Sequence, residues 1–483
     1  MLSNPRLLTW TEGQGRLHGI VALLRAARAG FEVEWHPDGL AFAQDSIAAE
    51  TLRRAGLATT EIPADRAGAK ITLPRIVLLA GPSSGYPYAA YYAHCLWALG
   101  LSFTATGARG VAAGALLDAD LLVIPGGFAT WGLDRAEDAP GADVAVRRFL
   151  DRGGAVIGSC GGAFYLSSGR PGWQGSADVK PKFTHEYLLT GAAVLNVRIT
   201  DERLAVGLTD EVEVAYYHGP VWPEAGHNAP ALASFAGFAC PSRLFIDNPL
   251  QADLFERDMT GRPAVLAPDG QLGRAVLFSP HPEMGDLLRK WIALDGYVRK
   301  YLAIRGPKVM EETLRYYSAD DSQSFRLVLN AAARLDAFSR AKTERSSERP
   351  ADTVAAISAI DTLAASLDAE FSSLAIDLDS EKGEPWCRLV AGEAERVRGD
   401  AHGIFARLRA VLDSLGSMAD REVVAELVRL SGEAEVALRR PSGAPIVERM
   451  SFLELPVRLA SAAARLLEAD AAVQSLRTRA RTA

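Results

Sequence analysis

The chain has 483 residues, enough for two or three domains, each with a core of its own. Hydrophobic residues make up 48% and charged residues 23%, the balance of a soluble globular protein. A formal net charge of −7 argues against a nucleic-acid partner held on a basic face, and no uncharged apolar run is long enough to span a membrane.

The N-terminus, Met1-Leu2-Ser3-Asn4-Pro5, lacks the basic and apolar regions of a signal peptide. Four cysteines without close pairing predict reduced thiols, and with them a cytoplasmic location. No Cys/His cluster suggests a metal, and no cofactor is expected. Residues 1–73 read as an N-terminal α/β segment. Arg6 to Trp10 is a candidate strand. Leu17, Ile20, Leu23, Leu24 and Ala27 recur at helical spacing between Arg16 and Ala29, and Gly30 stops that helix. Phe31 to Trp35 reads as a strand and Ser46 to Ala55 as a short helix. Gly13-Gln14-Gly15 is a connecting turn, or an anion site at the helix N-terminus.

From residue 75 strands and helices alternate. Arg75–Ala80, Leu101–Ala105, Asp120–Ile124 and Ala155–Ser159 are the strands; Tyr88–Leu99 and Asp143–Arg152 are the helices. This alternation predicts a parallel sheet covered on both faces, with ligands bound beyond the carboxyl ends of the strands. Gly81, Gly126 and Cys160 all follow strand ends, so their loops should meet on one edge. Between 188 and 280 short β-type runs dominate, including a hairpin of Ala264–Ala267 with Leu272–Ser279. Ser279-Pro280-His281-Pro282-Glu283 follows, then a helix from about Gly285 to Ile304. Beyond Gly306-Pro307 helical periodicity runs almost to the end, which predicts an all-α helical bundle over 307–483. Its Ala- and Arg-rich faces suit either a solvated surface or contacts between copies in a homo-oligomer.

The chemistry concentrates around Gly158-Ser159-Cys160-Gly161-Gly162, a buried strand turning sharply into a helix. Such a turn needs small residues, because side chains there collide. It would lift the Cys160 thiol over a helix N-terminus, where the thiolate is favoured. A buried, inert cysteine in a Gly-rich turn is the alternative. Cys160 needs a base, and the base an orienter. His281 and Glu283 straddle Pro282, so the carboxylate can hold one imidazole nitrogen while the other faces the thiol. Gly126, Gly127 and Gly161 offer backbone N–H groups for a developing oxyanion. Gly81, Ser83, Phe164, Tyr217 and His218 are expected to line the substrate site, with Trp222 shaping it; a satisfied structural histidine is the other reading of His218. Cys95, Cys240 and Cys387 read as packing residues.

Strand–Pro125-Gly126-Gly127, then strand–Gly158-x-Cys160-x-Gly162–helix, then Ser279-Pro280-His281-Pro282-Glu283 resembles class I glutamine amidotransferase-like domains over about 75–305. Gly162-Ala163-Phe164 and Tyr216-Tyr217-His218-Gly219-Pro220-Val221-Trp222 look most like the amidotransferase-like N-terminal domain of biotin–protein ligases and its stand-alone bacterial relatives. The resemblance implies a flavodoxin-like parallel sheet over 74–306. It also implies Cys160 as nucleophile, His281 as base and Glu283 as its orienter, with Gly127 and Gly161 at the oxyanion. A thioester would form on a small amide substrate. Phe164 stands where glutaminases of this superfamily carry a Gln that helps hold the substrate, which leaves the amide open between glutamine and another. An amidotransferase feeds ammonia to a synthase, and neither flanking region carries an ATP-binding motif, so a synthase would act in trans. The rival expectation is a non-catalytic binding or scaffold protein working through its helical region.

Overall fold

The structure, a computed structural model, describes residues 2, 4–10, 16–28, 31–44, 46, 49, 52–53, 57–63, 68–81, 83–84, 88–182, 191–239, 250–268, 274–285, 323–338 and 353–380, with positions 402, 405, 406, 409, 412, 424 and 428. The expected turn at 13–15, most of the helix over 46–55, the helix after Gly285, and Cys240 and Cys387 lie outside the described residues. The chain forms two compact units, Met1–Gly296 with Met310–Thr343, and Tyr297–Val309 with Glu344–Ala483.

The first unit opens with β1 (Pro5–Thr9), α1 (Arg16–Arg28), β2 (Val33–His36), β3 (Gly39–Ala43), β4 (Thr60–Glu61) and β5 (Ala69–Lys70). They form a five-stranded sheet in the order β4-β1-β3-β2-β5, antiparallel at every pairing. Ile20, Val21, Leu23 and Leu24 are the buried stripe of α1, as their spacing requires.

A larger sheet follows. Its elements are β6 (Ile76–Leu79), α2 (Tyr88–Ala98), β7 (Phe103–Thr106), α3 (Ala108–Ala112), β8 (Leu121–Ile124), α4 (Leu133–Glu137), α5 (Ala142–Asp151), β9 (Ala155–Ser159), α6 (Gly161–Leu166), β10 (Ala192–Ile199), β11 (Glu211–Tyr217), β12 (Ala231–Phe238), α7 (Ala252–Asp258), β13 (Pro263–Leu266) and β14 (Arg274–Phe278). The nine strands lie in the order β11-β10-β12-β13-β14-β9-β8-β6-β7. From β14 to β7 the pairings are parallel; from β11 to β14 they are antiparallel. The protein is thus mixed α/β with a large sheet that is parallel in one half, from β14 to the edge strand β7. Every residue of β6, β8 and β9 is buried, because helices cover both faces of a parallel sheet and leave no solvated side. The carboxyl ends of β6, β8 and β9 are neighbours, so the loops at Gly81, Gly126 and Cys160 emerge along one edge. The expected hairpin is the β13–β14 pair, with Val265 opposite Phe278.

Helix α8 (Gln323–Arg334) also lies in the first unit, against β11 and the turn Pro282–Met284. Asn330 Nδ2 donates to the Leu204 and Val206 carbonyls, both at 2.8 Å. Arg326 stacks on Trp10 at 4.8 Å from the ring centroid, and burial lowers its guanidinium to about 10. The second unit contains α9 (Thr353–Ser380), whose stripe of Ala356, Ile360, Leu363 and Leu367 is buried. In the same unit His402 Nε2 lies 3.0 Å from Asp368 Oδ1, and Arg409 pairs with Asp361. Most of the expected bundle lies outside the described residues.

Candidate active site

β9 ends at Ser159 and α6 begins at Gly161, leaving one residue for the reversal. That residue, Cys160, takes φ 48°, a left-handed value that costs an ordinary side chain about 1–2 kcal/mol. The strain is held from both sides: Cys160 N–H donates to the Phe278 carbonyl at 2.9 Å, and Phe164 N–H donates to the Cys160 carbonyl at 2.9 Å. The flanking glycines allow close backbone approach. A Cβ on Gly162 would stand 2.1 Å from the Ile124 carbonyl oxygen, and one on Gly161 would stand 2.6 Å from Gly127 N. The glycine loop after β8 therefore packs directly on the first turn of α6. The Gly127 backbone thus lies against Gly161, the first residue of α6, whose first-turn N–H groups have no acceptor within their own helix.

β14 runs beside β9 and delivers the second part of the site. His281 N–H donates to the Ala215 carbonyl at 2.7 Å, fixing the chain as it leaves the strand. The His281 Nδ1 and Glu283 Oε1 atoms are 2.8 Å apart, and both side chains are fully buried. The ring's other nitrogen, Nε2, lies 3.3 Å from the Tyr217 carbonyl oxygen. Cys160 Sγ–H donates to that same oxygen at 3.4 Å. Burial pulls the His281 imidazole toward neutrality, but the charge of Glu283 and the charge and hydrogen bond of Cys160 outweigh it. The imidazolium is held up to about 10, from an ordinary 6.5. The second oxygen of Glu283, Oε2, is buried without a hydrogen-bond partner.

The expected residues do not all converge. Gly126 abuts His281: a Cβ there would lie 2.8 Å from its Cε1. Ser83 is buried and turned away, its N–H and Oγ–H donating to Glu137 Oε1 at 3.0 and 2.6 Å. Glu137 Oε2 also accepts from Ala108 N–H, so this carboxylate ties the Gly81 loop to α3. Phe164 is buried with its ring 5.9 Å from that of Trp173. Tyr217 reaches Cys160 and His281 through its backbone carbonyl, while its ring meets that of His218 edge-on at 4.5 Å. His218, at φ 53°, accepts from Gly191 N–H through Nδ1 at 3.3 Å. Trp222 does not shape the site; it is buried in the core and donates to Ser167 Oγ at 3.2 Å.

The sequence reading missed α2 as a wall of the site. The Tyr88 ring stacks on His281, with centroids 5.0 Å apart and planes 16° apart. One turn on, the Tyr92 hydroxyl hydrogen-bonds Ser159 Oγ, and Cys95 is buried within range of the Glu283 charge. Burial first, and Glu283 second, push both Tyr92 and Cys95 well above their usual values. Positions 88, 92 and 95 share one helix face, a spacing visible in the chain but without a partner assigned to it. Among the described residues no cluster of His, Cys, Asp and Glu could hold a metal ion, and no helix is long and apolar enough to cross a membrane.

Residues 108–221 match the family described as the CobB/CobQ-like glutamine amidotransferase domain. The match includes Gly126, Gly127, Cys160, Gly161 and Tyr217 and stops before His281. No curated protein matches the chain. Among solved structures, a glutamine amidotransferase from Thermotoga maritima aligns at 14% identity and TM-score 0.35, over 54% of this chain and 97% of its own. A β-galactosidase from Bacillus circulans sp. alkalophilus aligns at 12% identity and TM-score 0.26, over 44% of this chain and 29% of its own. Segment 108–221 of this chain is thus similar to a glutamine amidotransferase domain.

Proposed function

We propose that Cys160 is the nucleophile of an amide hydrolase of the glutamine amidotransferase type, with His281 as its acid–base group and Glu283 as the orienter. The observation that carries this reading is the shared geometry of the Cys160 thiol and His281 Nε2 at one carbonyl oxygen, with Glu283 on the far side of the ring. The family match over 108–221 supports the same class of chemistry.

In this reading the Cys160 sulfur attacks the substrate carbonyl carbon as His281 Nε2 carries the thiol's proton. The oxyanion is met by amide N–H groups of the Gly126–Gly127 loop and Gly161. The C–N bond then breaks, Nε2 gives its proton to the departing nitrogen, and a thioester remains on Cys160. Water attacks the thioester, Nε2 takes its proton, and the carboxylic acid leaves as the thiol is restored. The Tyr217 carbonyl accepts either from the thiol or from the imidazolium, so it suits both states of the pair.

The domain carrying this chemistry is taken as 74–306, similar in its motifs to the amidotransferase-like domain of biotin–protein ligases. Phe164 against Trp173 offers no amide hydrogen bonds, which favours a small amide other than glutamine. A synthase acting in trans, in the cytoplasm, is the partner that would use released ammonia. The test is release of glutamate and ammonia from L-glutamine and of ammonia from a panel of small primary amides, comparing the native protein with Cys160→Ala. Turnover that disappears in Cys160→Ala supports the reading. A folded protein with no turnover and a Cys160 no more reactive toward iodoacetamide than a free thiol would leave only a binding role.

A further inference from the structure

We propose that Tyr88 is a positioning residue for His281: its ring fixes the imidazole plane against the Gly126 loop and favours the protonated ring. This rests on the reading of His281 as the acid–base group.

The geometry carries it. The two rings are stacked at 5.0 Å and 16°, so the π-face of Tyr88 covers one face of the imidazole. A π-face carries negative charge density and attracts a cation laid on it. Gly126 closes the edge: a Cβ there would meet His281 Cε1 at 2.8 Å and Tyr88 Cγ at 3.1 Å, so both rings lie packed on one peptide of the glycine loop. The imidazole is then bounded on every side that the structure describes. Glu283 holds Nδ1, the Tyr217 carbonyl and Cys160 face Nε2, Gly126 backs Cε1 and Tyr88 covers a face.

The same helix fixes the neighbouring groups. Tyr92, one turn from Tyr88, bonds Ser159, the last residue before the nucleophile, and Cys95 is buried within range of the Glu283 charge. The ionisable groups around the pair are therefore Glu283, Cys160, Tyr92 and Cys95. Burial and Glu283 keep Tyr92 and Cys95 neutral, so neither is a second anion competing with Glu283 for the imidazolium. Tyr88 adds an interaction that depends on the ring's charge without a formal charge of its own.

Two variants separate this role from packing. Tyr88→Phe keeps the aromatic face; Tyr88→Leu keeps bulk without it. The readouts are titration of the His281 ring by NMR and the rate of Cys160 alkylation by iodoacetamide at neutral pH, both in the full chain. Tyr88→Leu is expected to lower the His281 titration by about one pH unit and the alkylation rate roughly ten-fold, with Tyr88→Phe close to native. Equal titration and equal rates in native and Tyr88→Leu proteins contradict the proposal. If Tyr88→Leu does not fold, replacement of Tyr88 by pentafluorophenylalanine keeps the shape and reverses the face charge, and must lower the titration further than Tyr88→Phe does. A native Cys160 whose alkylation is unchanged by His281→Asn removes the acid–base reading itself, which is a separate result from a silent Tyr88.

Discussion

At His281 burial and charge pull in opposite directions, and the chemistry depends on which prevails. Burial alone would leave a neutral ring below its ordinary value; Glu283 and Cys160 reverse that and raise it to about 10. Glu283→Gln keeps the shape and removes the charge. The His281 titration, followed by NMR, is then expected to fall well below that of native protein. The sign for stability follows from the raised value. The protonated ring stabilises the fold fully below the unfolded value near 6.5, and this contribution is lost as pH rises toward about 10. The stability of native protein to chemical denaturation should therefore fall as pH rises between those limits, and Glu283→Gln should flatten that decline; a native profile that is flat across that window contradicts the assignment. The meeting of Cys160, His281 and Glu283 was legible in the sequence because each sits in a motif with its own local geometry. Tyr88 was not, since its partner lies far along the chain and a tyrosine at a helix start has many uses.

Among the elements, continuous apolar runs gave away β6, β8 and β9, because a strand buried on both faces has no alternation to hide behind. β3 was missed: Gly39-Leu40-Ala41-Phe42-Ala43 follows β2 across a two-residue turn and carries neither alternation nor β-branched residues. α8 shows a different limit. The stripe of Phe325, Val328, Leu329 and Ala332 is buried as its spacing predicts, yet an amphipathic face does not name what covers it. Here the cover includes β11 and the Pro282–Met284 turn of the first unit. Asn330 ties the helix to the Leu204 and Val206 carbonyls, between β10 and β11, so Asn330→Leu should cost about 2 kcal/mol or more, read as a lowered denaturation midpoint. The junction of β8 with α6 is tighter still. Gly162→Ala forces a methyl to within 2.1 Å of the Ile124 carbonyl, and a loss of about 3 kcal/mol in thermal unfolding is expected; a native Tm would show that the two backbones do not approach as described.

On the scale of the molecule, the site is assembled from segments that the chain keeps apart. The parallel half of the large sheet supplies the glycine loop after β8 and the elbow after β9, and β14 supplies His281 and Glu283. The antiparallel half supplies the Tyr217 carbonyl from the end of β11, which the Ala215–His281 bridge draws in beside the His281 ring. The order of motifs along the chain thus pointed to the edge of the sheet, whereas the role of the antiparallel arm depends on a register that periodicity does not give. The most direct test of the thiol–imidazole pair is the rate of Cys160 alkylation by iodoacetamide, followed by peptide mass spectrometry in native and His281→Asn proteins. Fully buried Cys95 serves as the internal control for opening of the fold. The account predicts that native Cys160 reacts at least ten-fold faster than in His281→Asn at neutral pH, with Cys95 slow in both. Equal Cys160 rates in the two proteins, with Cys95 still protected, would contradict it.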